Sequence, residues 1–249
     1  ALQGQHVISN PQDSFLASMA AVDMRLNNRL RNQSRTNLGL SCRLMGDAMV
    51  FDAGLVGAFG WLAESMIEDR ELGYELILHG QQVRYVPQAV SHGQAAGGWK
   101  QAAPQRLRWY QGIVTLQRSL APKLLAGAFR SRSVVMMDGV LELLAPSYSF
   151  LVIIALCNLL LVAGSTMLLP AIRGLVGLSG SILLLVVWML YPVFGLLVDQ
   201  APIWTYRALL LGPIYVIWRL WISAVVRLRG DRIGWVRTPR REETEDMPK

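Results

Sequence analysis

The sequence predicts an α/β domain followed by an α-helical membrane region. Helix and strand patterns alternate in the first part of the chain, and long uncharged runs fill much of the second part. Of the 249 residues, 53% are hydrophobic and only 16% are charged, whereas soluble domains average about 25% charged residues. Residues 143–172 and 174–198 contain no charged side chain. Each run exceeds the roughly 20 apolar residues with which a helix crosses a bilayer.

The α/β part begins with an amphipathic helix pattern. Asn10 is its predicted N-cap and Pro11 its first helical residue, because amide side chains cap helices and proline suits the first turn. We expect the polar residues 32–37 to end the helix and residues 40–51 to form a short strand or a loop. The apolar stripe has helical spacing and consists of Phe15, Met19, Val22, Leu26 and Leu30.

A second helix and a strand complete the predicted α/β part, which spans residues 1–100. Glu68 and Asp69 precede the helix, and Gly80 stops it. Residues 83–87 alternate apolar and polar side chains as a strand does. Residues 88–103 lack periodicity, which indicates a long loop. The order of helix and strand favours an α/β architecture.

The rest of the chain divides into three predicted parts. Residues 101–133 are amphipathic and basic, which fits either helices at a membrane surface or core helices with a solvated face. Residues 134–226 contain the two uncharged runs and a third apolar segment with Arg207 and Arg219, so two or three crossings remain open. Residues 227–249 form a basic and then acidic tail. The bias of basic residues favours two crossings, with residues 1–133 and the tail in the cytoplasm.

Two clusters of side chains could carry chemistry. Glu68 and Asp69 suit acid/base catalysis, although acidic residues at a helix start also stabilise the helix dipole. The second cluster, residues 105–109, places an amide, two guanidiniums and an indole within about one and a half helical turns. Arginine suits a diphosphate and tryptophan suits a sugar face, but arginine and tryptophan also anchor helices at membrane interfaces.

Metal and disulfide chemistry have little support in the sequence. Cys42 and Cys157 are the only cysteines, and we expect both to be inert buried thiols. His6, His79 and His92 have no metal-ligand spacing. We therefore expect no metal ligands in this chain.

Three ordered segments resemble motifs of membrane-bound family 2 glycosyltransferases. Residues 67–69 are similar to the TED segment, with Ile67 in place of the usual Thr. Residues 105–109 match the QxxRW signature, and residues 235–240 resemble the segment after the last membrane helix. Gly46 and Asp47 stand where many members have a Gly-Thr-Gly or Gly-Ser acceptor segment.

The resemblance implies the acceptor half of a GT-A fold and roles for particular residues. Asp69 would be the base that deprotonates the acceptor hydroxyl, and Glu68 would orient or support it. Donors aimed at the leaving diphosphate would stabilise its developing charge. These donors would be Gln105 and Arg108, with Arg106 assisting, while Trp109 would lie under the acceptor sugar and Gly46 and Asp47 would contact substrate.

The resemblance also implies a nucleotide-diphospho-sugar donor and a Mg²⁺ or Mn²⁺ cofactor. The family's DxD motif, which holds the metal, would lie before Ala1, so we expect this chain to be an incomplete fragment that is inactive alone. The expected function is inverting sugar transfer to a glycan or lipid-linked acceptor, with polysaccharide synthesis favoured. The expected location is the inner or plasma membrane, in a multi-pass arrangement in contact with membrane lipid.

Two other classes of protein remain as alternatives. A non-catalytic membrane protein with a basic lipid-binding face accounts for the net charge of +7, but it does not account for the order of the two clusters. A transporter fits Arg207 and Arg219 in an apolar segment, although two or three crossings are few for one. Nucleic-acid binding is disfavoured because the basic residues cluster beside membrane segments.

Overall fold

A small mixed sheet organises the N-terminal part of the protein. The computed structural model describes residues 1–60, 63, 65–168 and 172–229. Strands β1 (Leu2–Ile8), β2 (Met49–Val50) and β3 (Arg84–Gly93) lie in the order β2-β1-β3. The β1–β2 pair is antiparallel, and the β1–β3 pair is parallel with an irregularity between Gly4 and Gln5. The parallel pair brings the ends of β1 and β3 together beside the site described below.

The first helix differs from the predicted one at both ends. Helix α1 (Phe15–Leu26) is capped by Ser14, whose Oγ accepts from the Ala17 N–H at 3.1 Å. The prediction of Asn10 as N-cap is therefore wrong, because its side chain instead bonds both backbone groups of Ala95, at 2.8 and 3.1 Å. The chain also stays helical through the polar run, as a π-helical segment (Asn27–Gln33) and α2 (Ser34–Asn37).

Tertiary contacts explain why the polar run does not end the helix. Asn28 and Asn32 are buried. Asn28 donates to the His6 carbonyl at 2.8 Å, and Asn32 Oδ1 accepts from the Arg43 N–H at 3.1 Å. Asn28 Nδ2 and both ends of the Asn32 amide thus find partners in the neighbouring strand and loop, while Asn28 Oδ1 has no partner among the described residues. Most of these buried polar groups are therefore paired without a break in the helix.

The next elements follow the predicted order with one change. Residues 40–51 are irregular except for β2, and α3 (Ala53–Phe59) follows. Helix α4 (Glu68–Leu78) ends before Gly80, which has a φ of +71°. The predicted loop over 88–103 is wrong for most of its length, because β3 continues to Gly93 and α5 (Trp99–Ser119) begins soon after. Pairing with β1 supplies the backbone hydrogen bonds that local periodicity did not indicate.

Three helices cover α4. Helices α5, α6 (Ala121–Ser131) and α7 (Val134–Leu144) bury one face against it, as the core-helix interpretation requires. The same helices also expose large apolar side chains, as expected of helices that lie on a membrane surface. The shared core consists of Ile67, Tyr74, Ile77, Leu116, Leu120, Leu124, Val140 and Leu143, and the exposed set comprises Leu125, Phe129, Val134, Leu141 and Leu144.

The two uncharged runs form the long helices α8 (Tyr148–Leu168) and α9 (Ile172–Val198). By length and composition, Tyr148–Ser165 and Gly177–Val198 can each cross a membrane. Helices α10 (Ile203–Leu210) and α11 (Gly212–Arg229) follow and meet at a bend of 62°, which gives a third candidate span if the pair counts as one. The predicted tail beyond Arg229, with residues 235–240, lies outside the described residues.

The end of α9 returns to the N-terminal part. Gly195 lies so close to α1 and its extension that an added Cβ would be 2.6 Å from Leu30 and closer still to Leu26. Arg25 Nη1 lies 2.6 Å from Asp199 Oδ2. Helix α8 starts directly after α7, which packs on α4. The α8–α9 hairpin therefore leaves from and returns to the same body.

Candidate functional site

The N-terminus of α4 carries an acidic cluster in which only some side chains act as caps. Ser65 N–H donates to Glu71 Oε2 at 2.7 Å, which fastens the chain before the helix. The N-cap residue, Ile67, has no side-chain cap of its own. Glu68 and Asp69 also occupy the first turn, where the helix dipole favours negative charge. Because Glu71 fastens the approach to the helix, Asp69 remains available for another role.

The environment of Asp69 shifts its protonation. Burial raises the pKa of Asp69 above its ordinary value, and the nearby charge of Glu68 raises it further, while Arg70 opposes the shift. Glu68 itself is exposed. A carboxylate with a raised pKa is a stronger base than an ordinary aspartate. The structure thus distinguishes the two acidic neighbours, with Asp69 half-buried and Glu68 in solvent.

Gly46 lies in the loop of residues 45–48 and brings that loop next to Asp69. Its φ is +86°, and a Cβ added there would lie 3.4 Å from Asp69 Oδ2. Ala48 also has a positive φ, of 47°. Only glycine adopts such a conformation at low cost. Gly46 and Asp69, which the resemblance placed in the same site, therefore lie next to each other, with the loop backbone beside the carboxyl.

Asp47 faces a different set of partners. Its Oδ2 accepts from Ser91 Oγ at 2.6 Å and bonds His6 Nδ1. Burial favours the neutral acid, but these two hydrogen bonds hold the pKa of Asp47 below its ordinary value. Asp47 Oδ1 is buried without a partner among the described residues. The carboxylate thus ties the loop to β1 and β3, and one oxygen remains open.

Residues of strand β1 hold the loop of residues 45–48 in place through hydrogen bonds. The fully buried Gln3 donates to the Asp47 carbonyl at 2.8 Å and accepts from the Met45 N–H at 2.8 Å. Gly4 N–H donates to the Ala48 carbonyl at 2.8 Å. These bonds hold both sides of the strained turn, so its geometry does not depend on a bound ligand.

Buried arginines lie behind the site. Arg43 Nε donates to Glu142 Oε1 at 2.6 Å and thereby joins the loop to α7. Burial disfavours the ionised form of Glu142, but Arg43, Arg35 and Arg70 lower its pKa to about 2. Burial and the like charge of Arg43 lower the pKa of Arg70 to about 10. Three guanidiniums around one buried glutamate make this side of α4 electropositive.

Helix α5 docks directly on the N-terminus of α4. A Cβ added to Gly112 would lie 2.7 Å from Ile67 Cγ1, so the backbone of α5 packs directly against the Ile67 side chain. Trp109, one turn earlier, packs half-buried against the cluster that contains Ile67. Gln105 is half-buried one turn before Trp109. This contact brings the helix that carries residues 105–109 to the acidic cluster.

Arg106 and Arg108 have different surroundings. Arg106 donates to Tyr215 Oη at 2.9 Å and stacks 4.9 Å from the Trp109 ring centroid, so its guanidinium is already engaged inside the protein. Arg108 Nε is buried and has no partner within the described part of the chain. A buried guanidinium with an unused donor is costly. Arg108 is thus the one better suited to receive an anionic group.

Several residues of this site escaped the sequence analysis. Gln3, His6 and Ser91 are distant from Asp47 in sequence, and their pairing arises only when β1 and β3 align. Asp23, which lies 3.5 Å from Arg219 through Oδ2 and Nη1, had one available signal. An arginine in an apolar segment requires a partner, but its identity depends on how α1 packs.

The described residues include no group of three His, Cys, Asp or Glu side chains that could hold a metal ion. His6 pairs with Asp47, and His79 Nδ1 lies 2.8 Å from the Glu75 carbonyl. Cys42 is buried as expected, and burial raises its pKa to about 12, whereas Cys157 is exposed, contrary to expectation. Cys157 lies on α8, and an exposed side chain on a candidate membrane span would face apolar lipid.

Comparison with known families agrees with these observations. No curated protein matches the chain. The family model described as "Glycosyl transferase family group 2" matches residues 1–223, which include the sheet, the acidic cluster, residues 105–109 and both long apolar helices. The chain therefore belongs to glycosyl transferase family group 2.

Proposed function

We propose that this protein transfers a sugar, with inversion, from a nucleotide-diphospho-sugar to a glycan or lipid-linked acceptor at a membrane, in polysaccharide synthesis. Family membership supports glycosyl transfer with a nucleotide-sugar donor in general. The observation that carries the specific proposal is the convergence of Gly46 and α5 on the α4 N-terminus. There, Asp69 has a raised pKa beside a loop that presents its backbone.

In this proposal Asp69 is the general base. It takes the proton from the acceptor hydroxyl as the hydroxyl oxygen bonds the anomeric carbon, and the bond from that carbon to the diphosphate breaks. Glu68 supports Asp69 through its charge, which raises the pKa of the neighbouring carboxyl. Gly46 and Asp47 line the approach of the acceptor, with the Gly46 backbone beside Asp69 Oδ2.

The leaving diphosphate requires donors that act where negative charge develops. We assign this role to Arg108, whose Nε has no partner among the described residues, together with Gln105, three residues earlier on α5. Trp109 provides an apolar surface for the acceptor sugar. Arg106 assists indirectly, through Trp109. It donates a hydrogen bond to Tyr215, and its guanidinium plane covers the Trp109 ring.

The resemblance includes Mg²⁺ or Mn²⁺ as the cofactor that neutralises the donor diphosphate. The described residues do not fit such an ion, because they contain no cluster of three suitable ligands. No step assigned to this chain therefore passes through a metal. Its residues act on the acceptor proton, the leaving phosphate oxygens and the sugar face.

The Asp69→Asn variant of the protein expressed from its complete gene tests the proposal. The amide cannot take the hydroxyl proton, and general base catalysis is worth about 10² to 10⁴ in rate. We expect incorporation of radiolabelled sugar to fall by that factor while nucleotide-sugar binding persists. Glu75→Gln, on the same helix but outside its first turn, is the matched control. Near-normal incorporation by the Asp69 variant would return Asp69 to a role in helix stabilisation.

We further propose a multi-pass arrangement with residues 1–133 and the tail in the cytoplasm. The return of α9 to α1 through Arg25 and Asp199 supports two crossings before α10. Arg219 supports an interfacial position for α11, since its side chain faces Asp23 on α1. The α10–α11 pair would then stay on the cytoplasmic side.

Cysteine labelling in intact cells tests this topology. Single cysteines at Arg173 and Thr238, in a background without Cys42 and Cys157, are exposed to a membrane-impermeant thiol reagent. We expect labelling at position 173 only. Labelling at position 238 would refute the two-crossing arrangement and indicate that α10 and α11 cross as a third span.

A further inference from the structure

Three helices meet at one carboxylate outside the proposed catalytic residues. Asp23 lies on α1, and its Oδ2 is 3.5 Å from Nη1 of Arg219 on α11 and 3.9 Å from Nη1 of Arg106 on α5. The proposed roles of Asp69 and Arg108 do not use this group. It therefore calls for a separate explanation.

The two arginines continue the network in both directions. Arg106 donates to Tyr215 Oη at 2.9 Å and lies 4.9 Å from the centroid of the Trp109 ring. Arg219 lies 5.7 Å from the Tyr215 ring centroid and donates to Tyr110 Oη at 3.4 Å. The network thus runs from α11 through Asp23 and Arg106 to the indole of Trp109.

The single negative charge of Asp23 faces two guanidiniums and attracts both. Burial alone raises the pKa of Asp23, but Arg219 and Arg106 hold it below its ordinary value, so the carboxylate is ionised at neutral pH. Removing its charge leaves two guanidiniums close together without their common anion. Arg106 then keeps its hydrogen bond to Tyr215 and its contact with the Trp109 ring, but it is repelled by Arg219 without a counter-charge between them, so we expect the guanidinium and the ring that it covers to move.

We propose that Asp23 is a positioning residue, which orients Trp109 through Arg106 and makes that orientation depend on the docking of α11. This inference rests on the proposed function, in which Trp109 supports the acceptor sugar. Asp23 does not touch substrate in this scheme. It fixes the indole plane, and a misplacement of about 1 Å in such a group costs about 10²-fold in rate.

The direct test is ¹⁹F NMR of the full-length protein labelled with 5-fluorotryptophan. The resonance of Trp109 is assigned by its loss in Trp109→Phe. We expect Asp23→Asn to shift or broaden this resonance, and Asp23→Glu to restore it. The matched control is Asp199→Asn, which removes the other ion pair between α1 and the apolar helices but has no link to α5. We expect the control to leave the Trp109 resonance unchanged.

Two results would overturn the inference. One is an unmoved Trp109 resonance in Asp23→Asn, and the other is an equal shift in Asp199→Asn. Should Asp23→Asn fail to fold, Arg106→Lys provides the same test, because a point charge cannot both stack on the indole and reach Tyr215. An unmoved resonance in that variant also refutes the inference.

An activity assay separates this inference from the proposed function. Membranes with the full-length protein are given radiolabelled UDP-glucose, UDP-galactose or UDP-N-acetylglucosamine, and sugar in glycan is compared with sugar released to water. We expect Asp23→Asn to lower the ratio of transfer to hydrolysis by about 10- to 100-fold. If Trp109→Ala leaves that ratio unchanged, the acceptor role of Trp109 fails. If only Asp23→Asn leaves it unchanged, the positioning role fails.

Discussion

Replacing Gly112 by alanine tests the docking of α5 on α4. The added Cβ would lie 2.7, 2.9 and 3.0 Å from Cγ1, Cγ2 and Cδ1 of Ile67, whereas carbon atoms pack at about 3.5–4.0 Å. Ile67 is buried and its clashing atoms include both branches at Cβ, so a rotamer change cannot remove the overlap. Helix α5 must therefore move away by about 1 Å, at a cost typical of overpacking, about 1–3 kcal/mol.

The direction of the change in stability distinguishes this prediction from the usual effect of a glycine to alanine substitution. In an unconstrained helix, glycine to alanine stabilises by about 1 kcal/mol, so Gly112→Ala should lower the melting temperature where a free position would raise it. A displacement of about 1 Å would also reduce sugar transfer by about 10²-fold. Gly164→Ala, where an added Cβ meets nothing within 4 Å, is the control. Ile67→Ala lowers stability by itself, because Ile67 is buried in the core, but in that background Gly112→Ala should no longer destabilise the protein further. An undiminished effect of Gly112→Ala in the Ile67→Ala background would refute the docking argument.

Three further predictions concern the site itself. Gly46→Ala introduces a side chain at a φ of +86° and should lower the free energy of unfolding by about 1–2 kcal/mol, as thermal unfolding would detect. The same substitution should reduce sugar transfer in the incorporation assay, because the added methyl group crowds Asp69. Because Asp69 must be ionised to act as base, activity should fall as pH drops through its raised pKa; Glu68→Gln removes a negative neighbour and should move that acid limb of the kcat/KM profile to lower pH. Arg108→Lys should impair transfer, since a point charge cannot reproduce the planar guanidinium, and unchanged kinetics would remove this residue from the site.

The elements with strong periodicity were predictable, and those stabilised by distant partners were not. Helix α4 and its stop at Gly80 follow from local signals, as do the two apolar helices. The end of β3 does not, because residues 88–93 are held in the strand by β1. Asn28 and Asn32 likewise look like residues that end a helix, but their burial depends on a strand and a loop that sequence alone does not place.

The candidate site shows the same division. The two clusters were found as motifs, and their approach through Gly112 and Ile67 is a matter of packing that no motif encodes. The partners of Asp47 depend on the alignment of β1 with β3, and so His6 was considered only as a metal ligand. The resemblance assigned the diphosphate to Arg108 and an assisting role to Arg106, and the structure adds a difference in surroundings that no motif encodes: Arg106 is hydrogen-bonded to Tyr215, whereas Arg108 Nε has no partner among the described residues.

The ion pairs that α1 makes with the C-terminal helical region suggest how an apolar helical layer is kept in register with the proposed active site. Leu16, Met19 and Val22 pack against Leu196 and other residues of the C-terminal helices, and apolar contacts of this kind tolerate small slides because they are non-directional. Charged contacts are directional and penalise a mismatch. On α1, Asp23 meets an arginine from α11 and Arg25 meets the aspartate that follows α9. The side chains at positions 23 and 25 point to different sides of α1, so a slide or a rotation of the helix would separate both pairs. The pairs therefore contribute position more than stability, and the Asp23 pair is the one that connects α1 to Trp109, through Arg106.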